Sequence, residues 1–340
     1  RGLGDVYKRQ LETFRSESQK PVLAITGMQG TAKSSTHDKI RQLIDPNTVN
    51  LRAAPKTRED IFISAGCNWI VSFENISHLV AAMQDALCTL ATGGGYAART
   101  LYTNDEETVL SVLRPVIINS IPVVATAQDL TDRLIAIDLL PIEYREISEL
   151  DLAWEAAKPS IFGGLLDLFV AALAKLPDVK LDKPPRMADF TRLGEAMMRV
   201  QGCSEGEFTQ IYKANRADSI SKALDSSPVA VAICAMVDQH NGASNLVYNG
   251  TMSHLLEKLA EYRHDTESFP RSPRGLGDIL KRQSPALEMC GIKIITSNKP
   301  QRINGSRGIP VEIRKIEDSS TIQNQTSILN EDFNVDEERF

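Results

Sequence analysis

The stretch Pro21–Ser35, PVLAITGMQGTAKSS, constrains this chain more than any other because it joins an apolar run, a glycine loop and the start of a helix. The run from Val22 to Ile25 predicts a buried strand, and the residues from Lys33 onward predict a helix. Gly27 and Gly30 allow tight turns, so that consecutive backbone N–H groups converge on an anion at the helix N-terminus. This order of elements predicts a phosphate-binding loop in an α/β fold.

The side chains of this loop fit a nucleoside triphosphate, ATP, with its Mg²⁺ ion. In the usual pattern, G-x-x-x-x-G-K-S/T, the lysine reaches the β- and γ-phosphates and the hydroxyl holds Mg²⁺, which gives these roles to Lys33 and Ser34. Ala32 replaces the second glycine, a departure that matters only if this position needs a positive φ. The alternative is a chance match in a glycine-rich turn. The predicted nucleotide-binding residues are Gly27, Met28, Gln29, Gly30, Thr31, Ala32, Lys33, Ser34 and Ser35.

A second apolar run ends in an acidic residue. The run from Trp69 to Phe73 predicts a buried strand with Glu74 at its end, where a carboxylate can hold Mg²⁺ beside Ser34. Asn75 occupies the position where many ATPases carry a catalytic glutamate. An amide can orient a water molecule but cannot take its proton, so the hydrolytic base stays open and Glu74 would serve more than one purpose.

Three further features follow in chain order. Three glycines at 93–95 precede a segment that predicts a hairpin with Arg99 near its tip. The run from Val116 to Ile118 predicts a third buried strand that ends at Asn119, and Arg133 directly precedes a fourth. A polar strand cap is the alternative for Asn119, and a surface salt bridge is the alternative for Arg133.

These parts in this order resemble the ATPase core of AAA+ proteins, and within them the superfamily 3 helicases. The chain looks closest to the ATP-binding modules of phages, plasmids and integrated elements, which are often linked to primases or primase-polymerases. Minichromosome maintenance helicases also carry alanine before the lysine. The resemblance covers roughly Lys20 to Lys315 and rests on the phrases TGMQGTAKSS, IVSFENIS, DALCTLATGGGYAARTLYTNDEE, RPVIINSI and DLTDRL.

The resemblance implies roles for three of these residues. Asn119 resembles sensor 1, which polarises the attacking water or the γ-phosphate. Arg133 resembles an arginine finger, which completes the site of a neighbouring subunit in a homo-oligomeric ring, as in a hexamer. The hairpin with Arg99 resembles the one that superfamily 3 helicases direct at DNA in the central channel. The implied catalytic residues are Lys33, Glu74, Asn75, Asn119 and Arg133.

The C-terminal half adds a predicted helical subdomain at 150–225 and a predicted winged helix at 226–316. In a winged helix the third helix enters the DNA groove, and the wing, two strands around a basic tip, contacts phosphate. Winged helices also serve as protein contacts, which is the alternative. The predicted DNA-binding residues here are Arg274, Lys281 and Arg282 on the third helix, and Lys299, Arg302 and Arg307 on the wing.

The composition of the chain limits its location, its possible membrane contact and the nature of its two ends. Five cysteines without a C-x-x-C pair argue against zinc and for a reducing, cytoplasmic location. The apolar stretch Ile161–Leu176 contains Asp167 and is too short to span a bilayer, so no membrane contact is expected. The net charge of −6 conceals a basic segment at 263–315 and an acidic, disordered tail at 317–340. Residues 1–10 resemble a translated sequencing adapter and are interpreted as a non-native leader, which leaves 11–149 for the P-loop ATPase core.

The sequence therefore predicts an ATP-dependent DNA helicase or replication motor of a mobile genetic element that works in a ring with a primase. The main alternative is a nucleotide-switched DNA-binding initiator or loader that hydrolyses ATP weakly, because Asn75 replaces the base. A metabolic kinase with the same loop is disfavoured by Asn119, Arg133 and the basic C-terminal module.

Overall fold

The chain divides into two units, Arg1–Ala223 and Leu224–Phe340. The computed structural model describes residues 3–99, 107–143, 145–242, 244–262, 269–297, 299–303 and 305–316. Eleven α-helices and twelve strands lie within these ranges. The five-part division predicted from the sequence is finer than these two units and stays a prediction. The predicted acidic tail, 317–340, lies outside the described residues.

The first unit is a mixed α/β structure built on a parallel sheet. Its elements are α1 Leu3–Glu12, β1 Val22–Thr26, α2 Lys33–Ile44, β2 Arg52–Ala53, α3 Arg58–Cys67, β3 Val71–Ile76, α4 Ala81–Thr92, β4 Gly94–Arg99, β5 Glu107–Val112, β6 Val116–Ser120, α5 Gln128–Thr131, β7 Leu134–Asp138, α6 Ile147–Lys175, α7 Ala188–Val200 and α8 Glu207–Asp225. The strand order is β2-β3-β6-β1-β7, and each adjacent pair is parallel. The carboxyl ends of all five strands therefore meet at one edge.

Both faces of this sheet are covered. Alternate residues of β1 enter two different cores: Val22 packs with α3 and α4 residues, and Leu23 packs with residues of α2, α7 and α8. Successive side chains of a strand point to opposite faces, and a strand buried on both faces is a continuous apolar run. This explains why residues 22–25 of β1 and 116–118 of β6 are uniformly hydrophobic in sequence and why the sheet forms the middle layer of three.

The helix starts follow local signals. Thr57 caps α3 and forms a capping box with Asp60, whose carboxylate accepts the backbone N–H of Thr57 at 2.9 Å. A threonine followed three residues later by an aspartate predicts an N-cap at Thr57, and this prediction is confirmed. The apolar spacing after β3 predicts a helix from His78 to Thr92, and the helix observed there, α4, begins later, at Ala81. The predicted hairpin is confirmed as β4 and β5, which pair antiparallel, although its tip at 100–106 lies outside the described residues.

The segment interpreted as a leader lies largely in α1, which packs into the first unit. Arg9 is fully buried, and its guanidinium donates hydrogen bonds to the carbonyl oxygens of Pro21 at 3.2 Å and Val116 at 2.7 Å. The interpretation of residues 1–10 concerned their origin, and it stays a prediction.

Helix α6 is long, apolar and mostly exposed. With the turn that follows, it covers Ile147–Asp178, 32 residues, and by length and composition it is long and apolar enough to cross a membrane. The sequence predicted that the apolar stretch Ile161–Leu176 is too short to span a bilayer. This prediction was wrong about the length, because the helix that contains the stretch begins at Ile147. Seven uncharged, exposed residues recur along it at spacings of four and three: Leu152, Ala156, Pro159, Gly163, Leu166, Val170 and Leu173. We call these seven residues the α6 stripe.

The second unit holds three helices and a small antiparallel sheet. Its elements are α9 Pro228–Asp238, β8 Leu246–Thr251, α10 Met252–Leu259, α11 Pro273–Met289, β9 Ile292–Thr296, β10 Gln301–Ile303, β11 Ser306–Gly308 and β12 Pro310–Lys315. The sheet order is β8-β12-β9, and β10 pairs with β11 in a separate hairpin between β9 and β12. The Ser-Pro pair at 272–273 predicts an N-cap followed by proline at the first helical position, and both are confirmed at the start of α11. Strand β8 was not predicted.

Candidate functional site

The loop after β1 lies at the carboxyl edge of the parallel sheet, where open α/β sheets bind ligands. Gly27 and Gly30 both have positive φ, 150° and 85°. A Cβ on Gly27 would lie 2.7 Å from the carbonyl oxygen of Leu139 and 2.7 Å from Thr31 Oγ1, so the backbone passes too close to its neighbours for any side chain. Gly27 is therefore required by its close neighbours and its φ, and Gly30 is favoured by its positive φ.

Ala32 adopts the left-handed conformation, with φ 56° and ψ 29°, at the N-cap of α2. The substitution of glycine by alanine in the motif therefore falls on a position that does need a positive φ. A non-glycine residue in this region is strained by roughly 1–2 kcal/mol relative to the right-handed conformation.

Lys33 folds back onto the loop. Its ammonium donates to the carbonyl oxygens of Gly27 at 2.7 Å and Met28 at 2.6 Å, and it lies 3.5 Å from Thr31 Oγ1. Within the described part of the chain, the backbone N–H groups of residues 28–32 donate to no other group. A loop with unpaired N–H donors around one ammonium at the start of a helix is a donor set that suits a phosphate group. The residues present therefore fit the tail of a nucleotide.

Strand β3 carries the predicted acidic residue and a bulge. Glu74 is half-buried, and the pairing of β3 with β6 shifts register between Phe73 and Ile76. Asn75 sits in this bulge with φ 53° and an exposed side chain. Asparagine tolerates this left-handed region better than most residues, which gives Asn75 a conformational reason to be asparagine.

The side chain of Asn119, on β6, contacts both β3 and α2. It is fully buried and lies in register with Ile25, the penultimate residue of β1. Its Oδ1 accepts the backbone N–H of Asn75 at 2.7 Å, and its Nδ2 lies 3.0 Å from Nδ1 of His37. His37 stands one turn after Lys33 on α2, so a short chain of contacts links the loop helix, Asn119 and the end of β3.

His37 is the residue that the sequence reasoning missed. Its Nε2 lies 2.7 Å from Oγ of Ser72, and its side chain is fully buried. Burial and the nearby positive charges of Arg41 and Arg9 lower the pKa of His37 to about 3, so the ring is neutral at physiological pH. The available signal was its spacing, because i and i+4 residues share a helix face and His37 therefore shares the inner face of Lys33.

Asp138 closes the other side of the loop. It is in register with Thr26, and its carboxylate contacts the Thr26 hydroxyl and the ammonium of Lys222 from α8. Burial raises the pKa of Asp138, but the hydrogen bonds from Lys222 and Thr26 outweigh it and keep the pKa below its ordinary value. A fixed negative charge and a cation from α8 thus lie next to the start of the loop.

Arg133 lies at the amino-terminal ends of the parallel strands, whereas the loop after β1 lies at their carboxyl ends. It precedes β7, whose first residue, Leu134, is in register with Val22 at the start of β1. Its side chain is 7% exposed and forms a salt bridge with Asp129 at 2.7 Å. The same Asp129 is bridged by Arg186 at 2.6 Å. The arginine-finger role of Arg133 stays a prediction, and this geometry requires Arg133 to leave Asp129 before it could reach another subunit.

The predicted DNA contacts of the second unit are all at its surface. Arg274, Lys281 and Arg282 lie exposed on α11, and Lys299, Arg302 and Arg307 lie exposed on and beside the β10–β11 hairpin. Arg302 and Arg307 are directly opposite each other in that hairpin. Like charges at opposed positions disfavour the pairing, unless an anion binds between them. Arg99 lies at the end of β4, opposite Glu107, and its side chain lies outside the described part of the chain.

Comparison with known proteins gives a family match across both units. A sequence model described as "Actinomycete integrative conjugative element replication protein" matches residues 12–218. A second, described as the AICE RepA C-terminal domain, matches residues 229–326. No curated protein matches the chain.

Two solved structures are similar at low scores. The apo C-terminal region of NrS-1 is 14% identical with a TM-score of 0.39, over 92% of this chain and 71% of that chain. The JCV helicase with a bound thiazolopyridine compound is 13% identical with a TM-score of 0.29, over 64% of this chain and 61% of that chain. These scores are too low to support an argument about function.

Proposed function

The chain belongs to the family of actinomycete integrative conjugative element replication proteins, and we propose that it is an ATP-dependent DNA helicase or replication motor of such an element. In this proposal it hydrolyses ATP in a hexameric ring and works with a primase. The observation that carries the proposal is the convergence at one sheet edge of the loop, Lys33 and Asn119, the last joined by a hydrogen bond to the backbone beside Glu74.

The proposed chemistry divides among these groups. In this proposal the loop N–H groups and Lys33 bind the phosphates, and Ser34 and Glu74 would hold the Mg²⁺ that accompanies ATP. This ion neutralises charge on the transferring phosphoryl group. Asn119 orients the attacking water or the γ-phosphate. Since Asn75 cannot accept a proton, Glu74 is the remaining candidate base.

A ring needs surfaces on which subunits meet. The α6 stripe supports this part of the proposal, because apolar residues at alternating spacings of three and four are typical of helix–helix seams. In an assembled ring, Arg133 exchanges its contact with Asp129 for the nucleotide of the adjacent subunit.

The proposed DNA-binding module is the second unit, taken as a winged helix. Three helices, an antiparallel sheet and a hairpin with the opposed Arg302 and Arg307 support this assignment. The hairpin is the proposed wing, and α11 is the proposed groove helix.

A second candidate function is a nucleotide-switched initiator or loader that binds ATP and hydrolyses it weakly. The observation that favours it is the conformation of Asn75. Its φ of 53° suits asparagine and disfavours glutamate, so the backbone itself selects against the usual catalytic glutamate at this position.

The decisive experiment measures ATP turnover with single-stranded DNA beside strand displacement. Turnover with unwinding supports the motor, whereas ATP binding with negligible turnover supports the switch. Lys33→Ala should remove nucleotide binding or turnover in both cases. Lys213→Ala is the matched control, because Lys213 is an exposed lysine of α8 far along the chain from the loop. Normal turnover by Lys33→Ala would contradict the whole proposal.

A further inference from the structure

A buried histidine stands beneath the predicted sensor residue and has no part in the chemistry proposed above. His37 contacts two side chains through its two ring nitrogens: Asn119 at 3.0 Å and Ser72 at 2.7 Å. All three side chains are fully buried. A polar chain of this kind is sealed from water, so each of its members depends on the next for a hydrogen-bond partner.

The direction of every hydrogen bond in this chain follows from one fixed donor. The backbone N–H of Asn75 can only donate, so the atom of Asn119 that faces it at 2.7 Å must be the oxygen. The amide nitrogen of Asn119 then faces His37 Nδ1, which must accept. The ring proton therefore lies on Nε2 and is donated to Ser72 Oγ. If the side-chain amide of Asn119 were rotated by half a turn, its NH2 group would face the backbone N–H of Asn75, and two donors would oppose each other.

We propose that His37 is a positioning residue that holds the Asn119 amide in this one orientation and so sets the rate of ATP hydrolysis without contacting ATP. The inference rests on the proposed ATPase function. The amide nitrogen of Asn119 carries two hydrogens, and His37 accepts one of them. The other can reach the γ-phosphate or the attacking water only when nucleotide binding uncovers the amide, since Asn119 is fully buried, and Asn75 and His37 fix its orientation from opposite ends.

The simpler reading is that His37 only fills the core. The two readings differ in which ring nitrogen matters, and two substitutions separate them. In His37→Asn, the side-chain oxygen lies near the position of Nδ1 and can still accept from Asn119. In His37→Gln, the longer side chain reaches the position of Nε2, keeps a contact with Ser72, and leaves the Asn119 amide nitrogen without its acceptor. Both variants remove the ring, so their packing losses are comparable.

The test uses the full chain, with MgATP and single-stranded DNA, and measures kcat, KM and nucleotide affinity together with Tm for both variants. His37→Gln should lower kcat by about 10–100-fold, the range found when an outer-shell partner is removed. Its KM and nucleotide affinity should stay within about twofold of wild type, since the phosphate-binding loop is untouched. His37→Asn should retain most of the wild-type kcat.

Two results would overturn the inference while ATP turnover by the wild type stands. One is a normal kcat in His37→Gln. The other is an equal loss of kcat in both variants that follows their loss of Tm, because this is the behaviour of a residue that only packs. A wild-type chain that hydrolyses no ATP would overturn the proposed function and this inference together.

Discussion

Replacement of Ala32 by glycine should stabilise the protein, although glycine substitutions in ordered structure usually do the opposite. Ala32 has φ 56° and ψ 29° immediately before α2. In this left-handed region, an L-residue with a Cβ crowds the following carbonyl oxygen, and glycine does not. The substitution also restores the second glycine of the phosphate-binding motif.

The size of the effect follows from two opposed contributions. Relief of the left-handed strain is worth roughly 1–2 kcal/mol, and the added freedom of glycine in the unfolded chain removes about 0.4–1 kcal/mol, which leaves a net gain of about 1 kcal/mol. In a unit of this size, Arg1–Ala223, such a gain raises Tm by about 2–4 °C.

The assay is urea and thermal unfolding of the full chain without nucleotide, so that ligand binding does not contribute. Ala157→Gly is the matched control, because Ala157 is an exposed residue inside α6, outside the α6 stripe, with right-handed helical geometry. The control should lose about 0.5–1 kcal/mol. The reasoning is refuted if Ala32→Gly destabilises the chain as the control does.

Three further predictions address the pH dependence, the hairpin and the ring. The free energy of unfolding should fall as the pH drops below about 6.5, by at most about 1.4 kcal/mol per pH unit. The cause is that His37 binds a proton in the unfolded chain, whereas in the folded chain it stays neutral down to about pH 3. Urea unfolding at pH 7 and pH 5 should show a smaller difference in this free energy for His37→Asn than for wild type. Arg302→Glu should stabilise the β10–β11 hairpin through its opposed Arg307 and weaken DNA binding with a shallower salt dependence, measured by anisotropy; unchanged affinity would argue against the wing. Inactive Arg133→Ala and Lys33→Ala chains, when mixed, should recover part of the ATP turnover, because one subunit supplies the finger and the other the loop; a mixture with no recovery would contradict the ring.

Features that depend on near neighbours in sequence could be predicted accurately. Helix α2 spans Lys33–Ile44, as predicted, because the glycine loop and the following Asp-Pro pair mark both ends. The Thr57 cap is also local, since it needs only a carboxylate three residues later. Strands β3 and β6 were recognisable as short apolar runs, because a strand buried on both faces shows no alternation of polar and apolar residues. Both continue past the predicted ends at Glu74 and Asn119, to Ile76 and Ser120.

Features that depend on distant neighbours could not be predicted. Strand β8, Leu246–Thr251, is held by its pairing with β12, some sixty residues later, and its Asn-Gly pair predicts a turn when taken alone. The left-handed backbone at Asn75 arises where β3 bulges against β6. For the same reason, the partners of His37 were invisible, since they come from two separate strands. The salt bridge of Arg133 with Asp129 could be predicted from their i, i+4 spacing. The burial of the Arg133 side chain could not, because it depends on the packing of distant residues.

The contacts of Lys33 within the loop compete with any anion that binds there. Two carbonyl oxygens, from Gly27 and Met28, already occupy the ammonium, so an arriving anion gains only the difference between its own attraction and theirs. A weakly charged anion such as chloride or acetate offers little advantage over two well-placed dipoles, whereas a triphosphate brings several charged oxygens at once. Discrimination against common small ions is thus a property of the loop before any ligand arrives.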